Sequence, residues 1–199
     1  MYRLIIDTAL DYSYLGILKD RDIIFESYDK GSNNHSETLM PKLEKALKDL
    51  NLELKDMNEL YIGIGPGSYT GVRIAVVIGK MLAVMNNTPL FEVSSLALLA
   101  SSKLTESYPF IDSRRGNAYT AHFTIKDNNL VRLEDDKLVS ISSYFTDEMK
   151  EKIIKEGKPN PILIIDSNLF MKVEDVNNLS PNYIQLVEAE RIRLGLKWK

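Results

Sequence analysis

The feature that most constrains the fold is the stretch 61–85, where a short apolar run passes through a glycine-rich loop into an almost wholly apolar segment. Residues 65–67 (Gly-Pro-Gly) interrupt regular structure, because glycine permits a positive φ and proline lacks an amide donor. Ser68 or Thr70 then supplies a hydroxyl that can cap a helix N-terminus. The sequence therefore predicts a buried strand, a tight loop and a helix from about Thr70 to Met85.

The predicted helix is apolar on two faces. Its only charged side chains, Arg73 and Lys80, fall close together at about 100° per residue. The bulky side chains roughly opposite them are Ile74, Val77, Ile78 and Met81. A second face of mostly small residues comprises Val72, Ala75, Val76, Gly79 and Ala83. A helix that is apolar nearly all round must be covered nearly all round.

Two arrangements would cover this helix. In the first, it is sandwiched inside a single larger core of its own chain. In the second, the bulky face lies on its own sheet, and the small-residue face receives a helix of another protein. Gly79 favours the second arrangement, because a mid-helix glycine costs about 1 kcal/mol and permits close approach.

The order of elements predicts an α/β fold. Three consecutive apolar runs with short turns predict an antiparallel meander, and the later alternation of strand and helix predicts parallel strands. The predicted strands of the first half are 3–7, 14–18, 23–28, 61–64 and 90–93, and its helices are 38–50, 70–85 and 95–101.

A polar stretch at 101–107 is the best candidate for a domain boundary, which divides the chain into domains 1–103 and 104–199. The second part again begins with a meander. Its predicted strands are 108–112, 118–125, 130–133, 137–140 and 161–166, and its helices are 141–156 and one from about Gln185.

Composition narrows the classes of function. The chain has no cysteine, which excludes disulfides, thiolate metal sites and cysteine nucleophiles. The net charge of −3 argues against unaided binding of nucleic acid, because neutralising phosphates needs clustered Lys and Arg. We find no signal peptide and no uninterrupted apolar span, so we expect a soluble, cytoplasmic protein without membrane contact.

Few residues are candidates for chemistry. Asp7 and Thr8 follow the first strand, where the carboxylate would either face a phosphate or metal-bound water or cap a turn; the turn is favoured. His35 and Glu37 suggest a metal site, but the only other histidine is His122, so a loop or cap role is favoured. The glycine loop matches neither the P-loop nor the dinucleotide fingerprint, which leaves a generic anion cradle open. We therefore predict no catalytic residue and no metal site.

Several blocks of the sequence together resemble the TsaB family, also called YeaZ. They are Ile5-Ile6-Asp7-Thr8, the pair His35-Ser36, residues 65–74 (GPGSYTGVRI) and residues 111–119 (IDSRRGNAY), with weaker similarity at Pro181, Tyr183, Ala189 and Glu190. The resemblance implies an actin-like, ASKHA-type (ribonuclease H-like) fold with two mixed-sheet lobes. It also implies a role in bacterial synthesis of threonylcarbamoyladenosine in tRNA.

In that pathway, the resemblance implies that the chain is the non-catalytic partner of the transferase TsaD. TsaE joins the larger complex. The resemblance implies no cofactor of its own, with ATP and metal in the partner subunits, and contact with tRNA only through the complex. It places the TsaD contact on the first two helices, which also suit a homodimer. The expected interface residues are Met40, Leu43, Leu47, Val72, Ala75, Val76, Gly79 and Ala83. The alternative is an active small ATPase or phosphotransferase of the same superfold, which would use Asp7 and Thr8.

Overall fold

The structure is a computed structural model. It describes residues 1–30 and 35–184, excluding the side chains of 35–37. The first part contains β1 (Tyr2–Asp7), β2 (Tyr12–Lys19), β3 (Asp22–Lys30), α1 (His35–Asp49), β4 (Met57–Gly63), α2 (Tyr69–Asn86), β5 (Leu90–Val93) and α3 (Ser95–Ala100). The second contains β6 (Tyr108–Arg114), β7 (Asn117–Lys126), β8 (Asn129–Ser140), α4 (Ile141–Tyr144), β9 (Ile153–Ile154), α5 (Pro161–Asp166) and β10 (Met171–Lys172). Short 3-10 turns lie at 54–56, 147–152 and 176–178.

Six strands form the first sheet, in the order β10-β5-β4-β1-β2-β3. β1, β2 and β3 are antiparallel neighbours, whereas β4 pairs parallel to both β1 and β5. The predicted meander and the predicted change to parallel strands are therefore confirmed. Because β1 and β4 run in parallel, their carboxyl ends, at Asp7 and Gly63, meet at one edge of the sheet.

The second sheet has the order β8-β7-β6-β9. All six residues of α3 are buried, and this helix contacts β6 and β7. The Ser94 hydroxyl, at the N-terminus of α3, donates to Asp136 of β8 at 2.7 Å, and Arg132 donates to the same carboxylate at 3.1 Å. A buried helix and a polar contact thus join the first half of the chain to the second sheet.

Two predicted elements of the second half are wrong. Residues 141–156 do not form one helix, because α4 ends at Tyr144 and β9 pairs in parallel with β6. Residues 161–166 form a helix instead of a strand. The Asn160 side chain accepts from the Leu163 amide at 3.1 Å, and Pro161 occupies the first helical turn, where its missing N–H costs nothing.

Residues 130–133 and 137–140 belong to one continuous strand, β8. β10 pairs with β5, so the chain returns to the first sheet after completing the second. The division at residue 103 stays a prediction, and the helix expected from Gln185 lies outside the described residues.

Candidate functional site

The glycine loop between β4 and α2 packs directly on the turn that follows β1. The Ser68 amide donates to the Ala9 carbonyl at 2.7 Å, and the Thr8 hydroxyl donates to the Gly71 carbonyl at 2.6 Å. A Cβ atom built at Gly67 would lie 2.2 Å from the Ala9 carbonyl oxygen, and one at Gly71 would lie 1.9 Å from that of Thr8. Glycine is therefore needed here because two backbones touch.

Asp7 is fully buried beneath this loop. Its Oδ1 accepts from the Ala9 amide at 3.1 Å and from the Ser95 hydroxyl at 3.0 Å, while Oδ2 has no hydrogen-bond partner. The Ser95 oxygen in turn accepts from the Gly65 amide at 3.1 Å. Burial raises the pKa of the Asp7 carboxyl to about 6. Asp7 therefore caps its own turn and ties β1 to the glycine loop through α3.

The packing of the glycine loop closes off the nucleotide site that the sequence suggests at Asp7 and Thr8. Asp7 and Thr8 are both inaccessible, and the Thr8 hydroxyl is already hydrogen-bonded to the loop. A phosphate could reach them only if the loop moved away. Among the described residues, no group of three or more His, Asp or Glu side chains is placed to hold a metal ion.

The predicted orientation of α2 is wrong. Its small-residue face packs on its own sheet, where a Cβ atom at Gly79 would lie 2.4 Å from Cγ1 of Ile62 in β4. The other predicted interface residues of this face are also buried in the protein's own core: Val72, Ala75, Val76 and Ala83. Small side chains let the helix approach β4 closely. Of the predicted bulky face, Val77 and Met81 are exposed and Ile74 is half-buried, whereas Ile78 is buried in the core.

The exposed face of α2 is an apolar stripe. We call Val77, Met81, Val84 and Met85 the outer stripe; their exposed fractions are 62%, 41%, 64% and 70%. Ile74 is half-buried at its margin. At about 100° per residue these positions share one side of the helix. By length and composition alone, α2 is long and apolar enough to cross a membrane. The core helices of soluble proteins can have the same length and composition.

The first helix contributes a shallow apolar depression beside α2. Leu43 and Leu47, both predicted interface residues, are buried, and Met40 is half-buried. A depression of about 390 Å³ is lined by Met40, Pro41, Leu43, Glu44, Leu47 and Leu54. Since α1 and the turn at 54–56 both contact α2, the depression lies beside this helix.

Both charges of α2 hold a later segment of the chain, residues 175–183, which we call the strap. Lys80 Nζ donates to the carbonyl oxygens of Asn177 and Leu179 at 2.7 and 3.1 Å. Arg73 Nε donates to the Tyr183 hydroxyl at 2.8 Å, and its guanidinium lies 4.1 Å from the centre of the Tyr69 ring. The strap therefore runs along one flank of the outer stripe.

Sequence reasoning predicted that α2 is an apolar helix and assigned its two faces the wrong way round. The bulky side chains were recognised as a group, yet nothing in their periodicity tells a sheet-facing side from a solvent-exposed side. The strap had only the weak signal of Pro181 and Tyr183. Ser95, which links Asp7 to the glycine loop, carried no local signal because its partners are distant in sequence.

The order of strands, with an antiparallel meander continued by parallel strands and followed by a second sheet, defines an α/β protein of the actin-like, ASKHA-type class. Solved structures agree with this class. A Pseudomonas aeruginosa protein described as similar to the peptidase YeaZ superimposes with a TM-score of 0.79 at 18% identity, covering 92% of this chain and 99% of that one.

Sequence comparisons identify the family. The family model TsaD, tRNA N6-adenosine threonylcarbamoyltransferase, matches residues 29–177. The Bacillus subtilis (strain 168) tRNA threonylcarbamoyladenosine biosynthesis protein TsaB is 28% identical, covering 94% of this chain and 95% of that protein. The Escherichia coli (strain K12) protein of the same description is 29% identical over 68% of this chain and 61% of that protein. The chain belongs to the family of this model, as a member of its TsaB (YeaZ) branch.

Proposed function

We propose that the chain is a non-catalytic subunit in the synthesis of threonylcarbamoyladenosine in tRNA, and that α1 and α2 bind a TsaD-type partner. The names of the B. subtilis and E. coli relatives support the pathway. The outer stripe of α2 is the observation that carries the proposal for the subunit's role. In this proposal ATP and metal belong to partner subunits, TsaE joins the larger complex, and tRNA is engaged within it.

The closed glycine loop supports a non-catalytic role. Catalysis needs a group that reaches substrate, and both candidates from the sequence, Asp7 and Thr8, are inaccessible. His122, the one histidine whose side chain is described, lies 3.0 Å from Glu106 and stacks on Tyr108. Each of these polar groups already serves a structural contact in the folded chain.

The outer stripe supports a protein partner. Four neighbouring apolar side chains on one helix are between 41% and 70% exposed, and a contiguous apolar patch of this kind is typical of an interaction site. A TsaD-type partner suits it, because a Persephonella marina tRNA N6-adenosine threonylcarbamoyltransferase is 28% identical over 49% of this chain. Proteins of similar fold can pair through equivalent helices, and the same surface would form a homodimer when the partner is absent.

The test is size-exclusion chromatography with light scattering, applied to the chain alone and mixed with the TsaD-type protein of the same genome. The wild-type chain should form a mixed complex. Val77→Glu should weaken it at least about 100-fold, because an unpaired carboxylate would be buried at the contact. Leu104→Glu is the matched control, since Leu104 is 67% exposed and lies outside both helices.

Two results would contradict the proposal. One is a folded Val77→Glu variant that still forms the mixed complex normally. The other is absence of any complex together with stoichiometric binding and turnover of Mg-ATP by the isolated chain, lost in Asp7→Ala. The second result would favour the alternative, a small ATPase or phosphotransferase.

A further inference from the structure

The outer stripe of α2 contains two of the chain's seven methionines, Met81 and Met85. They are four residues apart on the same side of the helix, and their exposed fractions are 41% and 70%. Two of the four side chains of the stripe therefore carry a thioether sulfur. A thioether packs as an aliphatic group does and adapts its shape to a partner, which suits a docking surface.

Methionine supplies all the sulfur of this chain, because no cysteine is present. An oxidant that attacks thiols in other proteins therefore meets only thioethers here. Access to the sulfur then decides which methionines react. Met57 in β4 is 3% exposed and belongs to the core, whereas Met85 is the most exposed of the large apolar side chains in the described part of the chain.

We propose that Met81 and Met85 form a peroxide-sensitive modification site that controls docking on the outer stripe. The inference rests on the proposed function, which supplies the docking partner. In the modifying step, a sulfur lone pair attacks one oxygen of hydrogen peroxide, so that a sulfur–oxygen bond forms and the oxygen–oxygen bond breaks. The sulfur loses two electrons to the peroxide, whose second oxygen leaves as water. The product is methionine sulfoxide.

A sulfoxide oxygen on the stripe has no donor beside it. The other members, Val77 and Val84, are aliphatic, and the two cations of α2 already donate to the strap. In free solution water satisfies the sulfoxide oxygen. Against an apolar partner surface it loses those hydrogen bonds, so we expect each buried sulfoxide to weaken docking about 10-fold or more.

The modification leaves the core of the protein untouched. The contact of Gly79 with Ile62 lies on the other side of α2, and Met57 is inaccessible to the oxidant. Sulfoxide formation is also reversible, because methionine sulfoxide reductases regenerate the thioether. The site therefore acts as a reversible switch on the docking surface of the free subunit.

The test compares the affinity for the TsaD-type protein before and after mild treatment of the full-length chain with hydrogen peroxide, which catalase then removes. Peptide mass spectrometry measures the sulfoxide at each methionine, and biolayer interferometry measures the affinity. We expect Met81 and Met85 to be oxidised while Met57 stays reduced, and the affinity to fall about 10-fold or more. Two sulfoxide reductases, one for each epimer, should restore it.

A double variant, Met81→Leu with Met85→Leu, removes both sulfurs and keeps the side chains apolar. The matched control is Met171→Leu, because Met171 in β10 is 65% exposed and lies outside both docking helices. Each protein after oxidation is compared with the same protein before it, so any effect of leucine itself cancels. Peroxide should weaken the control as it weakens the wild type, and should not change the affinity of the double variant.

Three results overturn the proposal. The first is an equal loss of affinity in the double variant and the wild type. The second is unchanged affinity of a wild-type chain that carries both sulfoxides. The third is a circular dichroism spectrum showing that the oxidised chain has unfolded, because oxidation would then act through the core.

Oxidation of the preformed complex separates this inference from the proposed function. The partner should slow oxidation of Met81 and Met85 and leave the rate at Met171 unchanged. A reduced chain that forms no complex removes the proposed function and this inference with it. A normal complex whose affinity and oxidation rates ignore each other removes this inference alone.

Discussion

The two faces of α2 are both apolar, but one is buried against the sheet and the other is exposed to solvent. The face with small residues lies on β4 at a distance that only glycine permits at position 79, whereas the outer stripe keeps bulky side chains in water. Close packing against the chain's own sheet and close packing against another helix both favour small side chains. A small-residue face therefore indicates that a neighbouring element packs closely against the helix. It does not tell whether that element is a sheet of the same chain or a helix of a partner.

The largest expected effect is that of Gly79→Glu, which tests the inner face. The new side chain would collide with Ile62 and bury a carboxylate in the core, so we expect a loss of about 4 kcal/mol or more in the free energy of unfolding. Urea denaturation followed by circular dichroism measures it. Val77→Glu, on the outer face of the same helix, should change that free energy by less than about 0.5 kcal/mol.

If Gly79→Glu were as stable as Val77→Glu, the contact between α2 and β4 would be wrong. The comparison of faces would then reverse, and the small-residue face would again be the candidate for partner binding.

The second-largest expected effect is a pH dependence of stability that arises from Asp7, which is buried beneath the loop preceding α2. Its folded pKa of about 6 lies above its usual value near 3.8, so the folded state binds more protons between these pH values. This contribution to stability is therefore full below about pH 4 and falls as the pH rises through 6, by about 3 kcal/mol in total.

Asp7→Asn isolates this dependence from the other carboxylates. The amide oxygen keeps the acceptor role toward Ala9 and Ser95, and the side chain no longer titrates. Unfolding free energies of both proteins, measured from pH 4 to pH 7.5, should show the wild type losing stability relative to the variant as the pH rises. A constant difference would mean that Asp7 is not buried as described.

The smallest expected effect concerns the strap on the flank of the outer stripe. Lys80→Gln removes the cation that donates to Asn177 and Leu179, so residues 177–183 should exchange their amide hydrogens faster. The β4 amides should keep their protection. Equal acceleration in both regions would show that Lys80 supports the core and does not merely hold the strap.

The fold was largely predictable because its signals are local. The run Ile5 to Thr8, the break at 65–67 and the turn before Leu90 each mark a boundary with a physical cause. The prediction of a strand at 161–166 was wrong because a short apolar run is consistent with either a strand or a helix. The cap at Asn160 favours the helix that the structure contains. The contact of Gly79 with Ile62 and that of Ser95 with Asp7 depend on distant parts of the chain, so no local pattern carries them.

The most direct test of the account uses the absence of cysteine, which allows single thiols to be placed at will. Val77→Cys reports on the outer stripe and Leu133→Cys, on an exposed position of β8, is the control. We expect a thiol-reactive label to modify both variants rapidly, and the TsaD-type protein to protect residue 77 alone. Equal labelling of the two thiols within a demonstrated complex would contradict the claim that the outer stripe is the docking face.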